Sequence, residues 1–388
     1  MKVENTSWVL CLSVLCVFAF GNCMGAVDGA LSKIATALQV DHTIALYVGS
    51  IPALTSMISS LLIGFLAGKR LPYKATVLAC AALMVAAGVL PCVADNFAMI
   101  LVTRCFFGLG LGGMMSLQNP IATTLIATDR RARVLGLGTC VAFAFQCVLQ
   151  LVGGMLADIQ WNYVFLTHLI LVLPLVGMAV LLPSMPVEPP HEVHASSVKL
   201  PAVALAMCVV VGIVSLNLAP LLFGSAFYVA AINDSATVAA IIAMLFSIGC
   251  MVGGLAYPRV YRVLGNRCFG VFLLVGAVGL VVSARATTIV VLGAGFFIGG
   301  ISFASMQAAV MMLLGLVCAP SRVAFASALM MIMLNLGGFL CSGWEMLIGT
   351  LTGDTLYAPL LVGAGVFVLM AVALLVKPPA SAPTTRDA

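Results

Sequence analysis

A single arginine, Arg104, stands inside an apolar run, "TRCFFGLGLGG" at residues 103–113. Its guanidinium stays charged in proteins and offers five N–H donors, so it requires acceptors such as a carboxylate. The best candidate counter-charge is Asp28, in "GAVDGAL". Two hypotheses follow. Either Arg104 holds an anionic group or adjusts a proton-carrying Asp28, or it bonds backbone carbonyls as a structural pin and Asp28 merely ends a helix.

Amide side chains near the middle of apolar runs extend this polar set. Because an amide in lipid needs a partner, helix–helix hydrogen bonds are the alternative to ligand binding at each position. Together with one arginine, an amide-rich site suits a modest polar solute better than a lipophilic drug. The residues are Asn22, Gln118, Asn119, Gln146, Gln150, Asn217, Gln307 and Asn335.

Other kinds of chemistry find little support. The 13 cysteines form no CxxC pair, and no Cys/His cluster has the spacing of metal ligands. His168 has no obvious acidic or cysteine partner, and there is no P-loop. We therefore expect no enzyme activity, no metal, no cofactor and no ATP hydrolysis. Glu345 is expected to be a solvated acid at the protein's rim or, alternatively, a second coupling site.

The composition indicates what surrounds these residues. The chain is 63% hydrophobic and 7% charged, whereas soluble domains carry roughly 25% charged residues. Lipid must therefore contact most of the surface, and apolar runs of about 20 residues must cross it as helices. About twelve such runs lie near 8–29, 44–67, 75–94, 97–121, 134–157, 162–183, 200–226, 236–257, 268–284, 288–315, 323–347 and 357–377.

Lys and Arg residues predict the orientation of these spans. If the N-terminus is cytoplasmic, nearly all of them fall in cytoplasmic segments, and the external loops hold only Lys33 and Arg285. Both termini are then cytoplasmic. The first run, 8–29, is expected to be a retained span and not a signal peptide. The net charge of +5 reflects this bias and needs no nucleic-acid partner.

The chain also repeats itself at a shift of 189 residues. "GFLAGKR" at 64–70 then aligns with "GGLAYPR" at 253–259. In this register Asp28 meets Asn217, Arg104 meets Gly293, and Gln146 meets Asn335. The repeat predicts two parallel six-helix halves, 1–183 and 200–388, joined by a linker at 184–199. Duplicated halves of this kind enclose a midplane cavity and alternate its access to the two sides.

These features resemble the major facilitator superfamily of secondary transporters, in its twelve-helix form. The family's signature after the second helix is similar to "GFLAGKRLPYK", with Gly68 in place of its acidic residue, and "RCFFGLGLGG" is similar to the fourth-helix pattern. The resemblance implies an all-α membrane fold and a cytoplasmic gate. The expected gate residues are Gly64, Lys69, Arg70, Lys74, Arg259 and Arg262.

From the resemblance we expect proton-coupled transport of a small polar or anionic solute, with efflux slightly favoured, by a monomer in a bacterial inner membrane. Alternatives are an uncoupled facilitator, a proton symporter for uptake of a sugar or organic acid, and a multidrug/H⁺ antiporter. The family's antiporter pattern has Gly-Pro where this chain has Leu149 and Gln150, which argues against antiport.

Overall fold

A computed structural model describes residues 8–67, 71–94, 96–185, 200–318 and 320–379. Within these ranges the regular elements are helices, apart from one isolated bridge between Ala67 and Leu71. The α-helices are α1 Trp8–Phe18, α2 Leu31–Leu38, α3 His42–Ala45, α4 Tyr47–Leu66, α5 Tyr73–Val89, α6 Phe97–Leu125, α7 Thr128–Ile159, α8 Val172–Leu181, α9 Ala202–Phe223, α10 Ser225–Ala230, α11 Ala236–Leu264, α12 Cys268–Ala284, α13 Ile289–Val317, α14 Pro320–Thr352 and α15 Ala358–Val376. Short 3₁₀ segments are Cys23–Ala30, Leu90–Val93, Trp161–Leu171 and Gly265–Arg267.

The predicted membrane-spanning character is confirmed. Among the described residues, ten stretches are long and apolar enough to cross a membrane, or eleven if a bent first pair is one span. One stretch, Ala236–Ala284, has 49 residues, although about 20 suffice for a bilayer. It contains both α11 and α12, which the sequence predicted as separate spans, so about twelve crossings is consistent with the structure.

The first span differs from its predicted limits, 8–29. It is broken after Phe18 and bends by 44° before Cys23–Leu38. The helix continues to Leu38, and Lys33, which we had placed in an external loop, pairs with Asp158 at the end of α7, at 2.7 Å. The sequence analysis took the charge of Lys33 as a sign that the span had already ended, and in the structure Asp158 compensates that charge.

Side-chain caps mark the starts of several long helices. The Asn96 side chain accepts from the Met99 N–H ahead of α6, and Ser235 and Thr288 do the same for α11 and α13. Such caps satisfy backbone donors that have no partner within the helix. At α3, hydrogen bonds from Thr43 hold the pKa of the capping Asp41 below its ordinary value.

The glycines of "RCFFGLGLGG" allow close packing of α6. A Cβ at Gly108 or Gly112 would overlap α4, and one at Gly110 or Gly113 would overlap α5. Small residues at this spacing let two helix backbones approach closely. The close contacts at these glycines therefore determine how the face of α6 that carries Arg104 is oriented relative to α4 and α5.

The chain divides into two compact units, Met1–His194 and Ala195–Ala388. In the first unit α6 packs against α4 and α5, and in the second α13 packs against α11 and α12. When the chain is shifted by 189 residues, the helices α4, α5 and α6 of the first unit correspond in order to α11, α12 and α13 of the second. The boundary falls within the predicted linker, of which residues 186–199 lie outside the described residues.

Candidate functional site: a buried polar cluster in the first unit

Asp28 lies on the 3₁₀ segment Cys23–Ala30 and is completely buried, at 0% exposure. Neither carboxylate oxygen has a hydrogen-bond partner within the described part of the chain. We had placed Asp28 at the external end of the first span. It is instead followed by α2, which continues ten residues further to Leu38. An acid in this position belongs to the interior of the unit and not to a helix terminus.

The absence of a side chain at Gly25 makes room for three polar groups. A Cβ at that position would lie 2.7 Å from Asp28 Oδ2, 3.0 Å from Gln150 Nε2 and 3.4 Å from Gln146 Nε2. Both glutamines belong to α7 and lie four residues apart, on one face of the helix. Three of the sequence-based candidates, Asp28, Gln146 and Gln150, therefore converge near Gly25.

Arg104 lies on α6, seven residues after its start, and is completely buried at 0% exposure. Its guanidinium carbon lies 5.0 Å from the ring centre of Phe107 and 5.3 Å from that of Phe165. These are cation–π distances. None of its three nitrogens has a hydrogen-bond acceptor among the described residues, so the carbonyl contacts that a structural pin requires are not made there.

Asp28 and Arg104 are close enough to interact electrostatically. They do not form an ion pair, since no N–O distance between them is 4.0 Å or less. The described residues thus present a buried carboxylate and a buried guanidinium as near neighbours, each with unused hydrogen-bonding atoms. Such groups are costly unless another partner satisfies them, which is the expected condition of a site that receives a charged ligand.

His168 is a member of this cluster that the sequence did not indicate. It is completely buried, and its Nδ1 lies 3.0 Å from the Phe165 carbonyl oxygen. Because a carbonyl only accepts, Nδ1 carries the hydrogen, and Nε2, which has no partner in the described part, is left as an acceptor. The ring packs edge-on against Phe107 at 5.1 Å and interacts electrostatically with Arg104.

A close helix approach positions this histidine. A Cβ at Gly88 of α5 would lie 2.6 Å from His168 Cδ2, so the glycine leaves space for the imidazole. Thr167 donates to the Leu149 carbonyl of α7 at 3.0 Å and fixes the 3₁₀ segment against that helix. The sequence signal was the same as for Arg104, a titratable residue in an apolar run, but His168 lacked a visible partner.

The remaining amide candidates are dispersed. Gln118 lies against Gly21 at the break in the first span, where a Cβ would be 2.8 Å from its Nε2. The Asn22 side chain makes no capping hydrogen bond, and Asn119 is exposed. In the second unit Asn217 and Asn335 donate to carbonyls four residues earlier on their own helices, at 2.8 and 2.9 Å, and Gln307 is half-buried.

Glu345 is not the solvated acid that the first of our two expectations described. It lies on α14 with 2% exposure, and its Oε1 has no hydrogen-bond partner among the described residues. Burial contradicts the first expectation, and the alternative, a second coupling site, stays a prediction.

The candidate gate residues are only partly described. Lys69 and Arg70 lie outside the described residues. Gly64 is near the end of α4, with space for a side chain, and Lys74 is half-buried on α5. Arg259 and Arg262 are exposed on the last turns of α11. In the described part of the chain, no group of three His, Cys, Asp or Glu side chains could hold a metal ion.

Comparisons with known proteins identify the fold. A family model of the Major Facilitator Superfamily matches residues 13–342. A search of curated proteins found no significant match.

Several solved structures are similar over nearly their whole length. A mutant of the nucleoside transporter NupG has a TM-score of 0.78 and 16% identity, covering 95% of this chain and 99% of that one. A mutant of the peptide transporter POT has a TM-score of 0.79 and 13% identity, covering 97% and 95%. The D-xylose-proton symporter has a TM-score of 0.75 and 14% identity, covering 96% and 98%. At such identities the likeness shows the fold and not the solute.

Proposed function

Because the chain belongs to the Major Facilitator Superfamily of secondary transporters, we propose that it carries a small polar or anionic solute by alternating access, coupled to protons. The observation that carries this proposal is the buried guanidinium of Arg104, whose nitrogens have no acceptor in the described part of the chain. A carboxylate or phosphate group of the solute would accept from those donors.

The neighbours of Arg104 fit a solute with further polar groups. Gln146 and Gln150 present amide nitrogens beside the Asp28 carboxylate, and His168 Nε2 offers an acceptor. Phe107 and Phe165 line the guanidinium with aromatic faces. A compact anion with one or two hydroxyl or amino groups matches these groups better than a large lipophilic drug does.

Asp28 is the proposed coupling acid. Burial disfavours the charged form of its carboxylate, and the Arg104 guanidinium gives that form a smaller electrostatic support. A bound anion neutralises Arg104 and removes that support, so the acid form of Asp28 is favoured when the solute is present. Anion and proton then bind together, and linkage makes their effects on one another reciprocal.

This linkage favours a second candidate for the direction of transport, namely uptake of the solute by proton symport. The sequence slightly favoured efflux, but antiport requires proton and solute to exclude one another. We further propose that the protein acts as a monomer in a bacterial inner membrane with both termini cytoplasmic. The excess of Lys and Arg on one side of the predicted spans supports this orientation.

Liposome transport tests the coupling directly. Purified protein is reconstituted with an internal pH-sensitive dye, and anionic, neutral and cationic polar solutes are added outside without an imposed gradient. Symport of an anion acidifies the interior, whereas antiport makes it more alkaline. We expect Asp28→Asn to lower the proton flux by at least about tenfold, the order expected when a buried charge partner is removed, and to retain solute exchange.

The matched control is Asp234→Asn, which changes an exposed acid and is expected to leave both signals unaltered. A proton flux that persists in Asp28→Asn would exclude Asp28 as the coupling acid. Wild-type solute flux that ignores a collapsed pH gradient would replace coupled transport by uncoupled facilitation.

A further inference from the structure

Glu345 is the acidic residue buried in the second unit. Of the charged residues in the described part of the chain, only Asp28, Arg104 and Glu345 are buried in this way. Asp28 has Arg104 as an electrostatic neighbour, but no charged group of opposite sign acts on Glu345. A carboxylate that is removed from water without a counter-charge requires a cation or a proton.

In the described part of the second unit, the helices that pack most extensively against α14 offer no such cation. The helices packed against it are α9, α13 and α15. Neither α13 nor α15 contains a titratable residue, and α9 contains only Cys208. Cys208 contacts the Ala326 carbonyl at 3.8 Å, about 28 Å along α14 from Glu345.

The titratable groups nearest to Glu345 are neutral or acidic. Glu345 acts electrostatically on Tyr228, which is 2% exposed, and Cys341, Tyr357 and Asp354 act on the same phenol. Asp354 caps the start of α15 through backbone N–H groups, including that of Tyr357 at 3.0 Å. It therefore adds negative charge on this side of Glu345 and does not compensate it.

The internal repeat places no cation in the second unit at the position equivalent to Arg104. In the register of 189 residues, Phe107 corresponds to Phe296 and Arg104 to Gly293. Phe107 packs beside Arg104 and His168 in the first unit. In the second unit Phe296 packs instead against the Tyr228 ring, at 6.1 Å. The position equivalent to Arg104 is thus a glycine that faces Leu245 and Ile242 of α11, and the phenylalanine equivalent to Phe107 packs against a phenol.

We propose that Glu345 is a second proton-binding site, in the second unit, separate from Asp28. A proton adds little volume and converts the buried carboxylate into a neutral acid, so it suits a side chain with 2% exposure better than a metal or ammonium ion does. The reaction is the addition of one proton to one carboxylate oxygen. As a step in transport this inference rests on the proposed function, but proton binding itself does not.

Infrared spectroscopy of the purified protein at a series of pH values tests the site without any transport. We expect a C=O band of a protonated carboxylic acid at neutral pH that shifts in D₂O and is lost at high pH. The band should be missing from Glu345→Gln and present in Asp28→Asn and in the exposed-acid control Asp234→Asn. Glu345→Asp should retain a displaced band, which guards against a Gln variant that folds poorly.

Superimposable spectra of wild type and Glu345→Gln at every pH would overturn the proposal, whatever the solute assay shows. Loss of the band in Glu345→Gln, together with absent proton flux in the wild-type liposomes, would leave the proton site standing and reject only the coupled function. The two conclusions therefore fail separately.

Discussion

At the scale of single residues, Arg104 and Asp28 are costly to the fold. Each is completely buried and lacks hydrogen-bond partners in the described part of the chain. In buried salt bridges, replacing both charges by neutral groups of similar volume is often neutral or stabilising by about 1–4 kcal/mol, whereas removing one is destabilising by about 3–5 kcal/mol. We expect the same directions for these two charges, which are near neighbours without direct contact. The pair is therefore expected to serve the solute and not the fold.

We expect the double variant Asp28→Asn/Arg104→Met to unfold at the wild-type temperature or above, and Arg104→Met alone to unfold at a lower temperature. Thermal unfolding in detergent measures both. Lys33→Met is the control, because the Lys33–Asp158 pair is partly exposed and such pairs contribute about 0–1 kcal/mol. A double variant that is clearly less stable than wild type would restore the structural-pin hypothesis.

The sequence indicated Arg104 and Asp28 as candidates for a physical reason that did not apply to the third residue of the cluster, His168. A permanent charge in an apolar run requires explanation wherever it occurs, so Arg104 was visible at once. His168 can be neutral, and a neutral imidazole in a helix is usually an ordinary buried residue. Its place between Gly88 and Phe107 depends on helix contacts that one sequence does not specify.

At the scale of elements, the 3₁₀ segment Cys23–Ala30 determines where the acid lies. Gly25 on this segment leaves the space that the Asp28 carboxylate and the α7 glutamine amides occupy. A side chain at this position would displace the ends of other side chains and not the backbone, so the fold should tolerate it better than the site does.

We therefore expect Gly25→Ala to lower transport roughly tenfold to a hundredfold, the order that a displacement of about 1 Å can cost, with little change in unfolding temperature. Gly136→Ala on α7 is the matched control, since a Cβ there meets no atom within 4 Å. Initial rates in liposomes for the two variants and wild type provide the measurement. Equal rates for Gly25→Ala and Gly136→Ala would show that the convergence at Gly25 is unimportant.

The break in the first span illustrates the limit of prediction for elements. The hydropathy pattern predicted that the span ends near residue 29, because Asp28 and Lys33 are charged. The charge of Lys33 is compensated by Asp158, 125 residues later, and the helix continues. Local patterns identify apolar stretches well, but they do not show that this helix extends to Leu38, where Gln39 ends it in a left-handed conformation.

At the scale of the whole molecule, the helical fold and the family followed from the sequence because twelve apolar runs and a repeat leave few arrangements. The orientation in the membrane is a prediction from Lys and Arg alone. Asp234 is expected outside and Arg262 inside, and both are exposed.

Thiol labelling measures this orientation in cells. Cys140 is the exposed cysteine among the 13 in the chain, so Cys140→Ser provides the background. We expect an impermeant maleimide to label Asp234→Cys in intact cells and Arg262→Cys only after permeabilisation. The reverse pattern would place both termini outside and reject the charge-based orientation.

The burial of Arg104 on α6 also bears on how the protein is made. A charge near the centre of a bilayer costs about 2.5–3.5 kcal/mol on insertion. For Arg104 this cost arises when the newly synthesised α6 enters the membrane. The segment of chain that carries Asp28 is synthesised 76 residues earlier, so the acid is already within the membrane when the arginine arrives. We therefore expect an order of biogenesis in which the first span is already in the membrane when the fourth, with its arginine, is inserted.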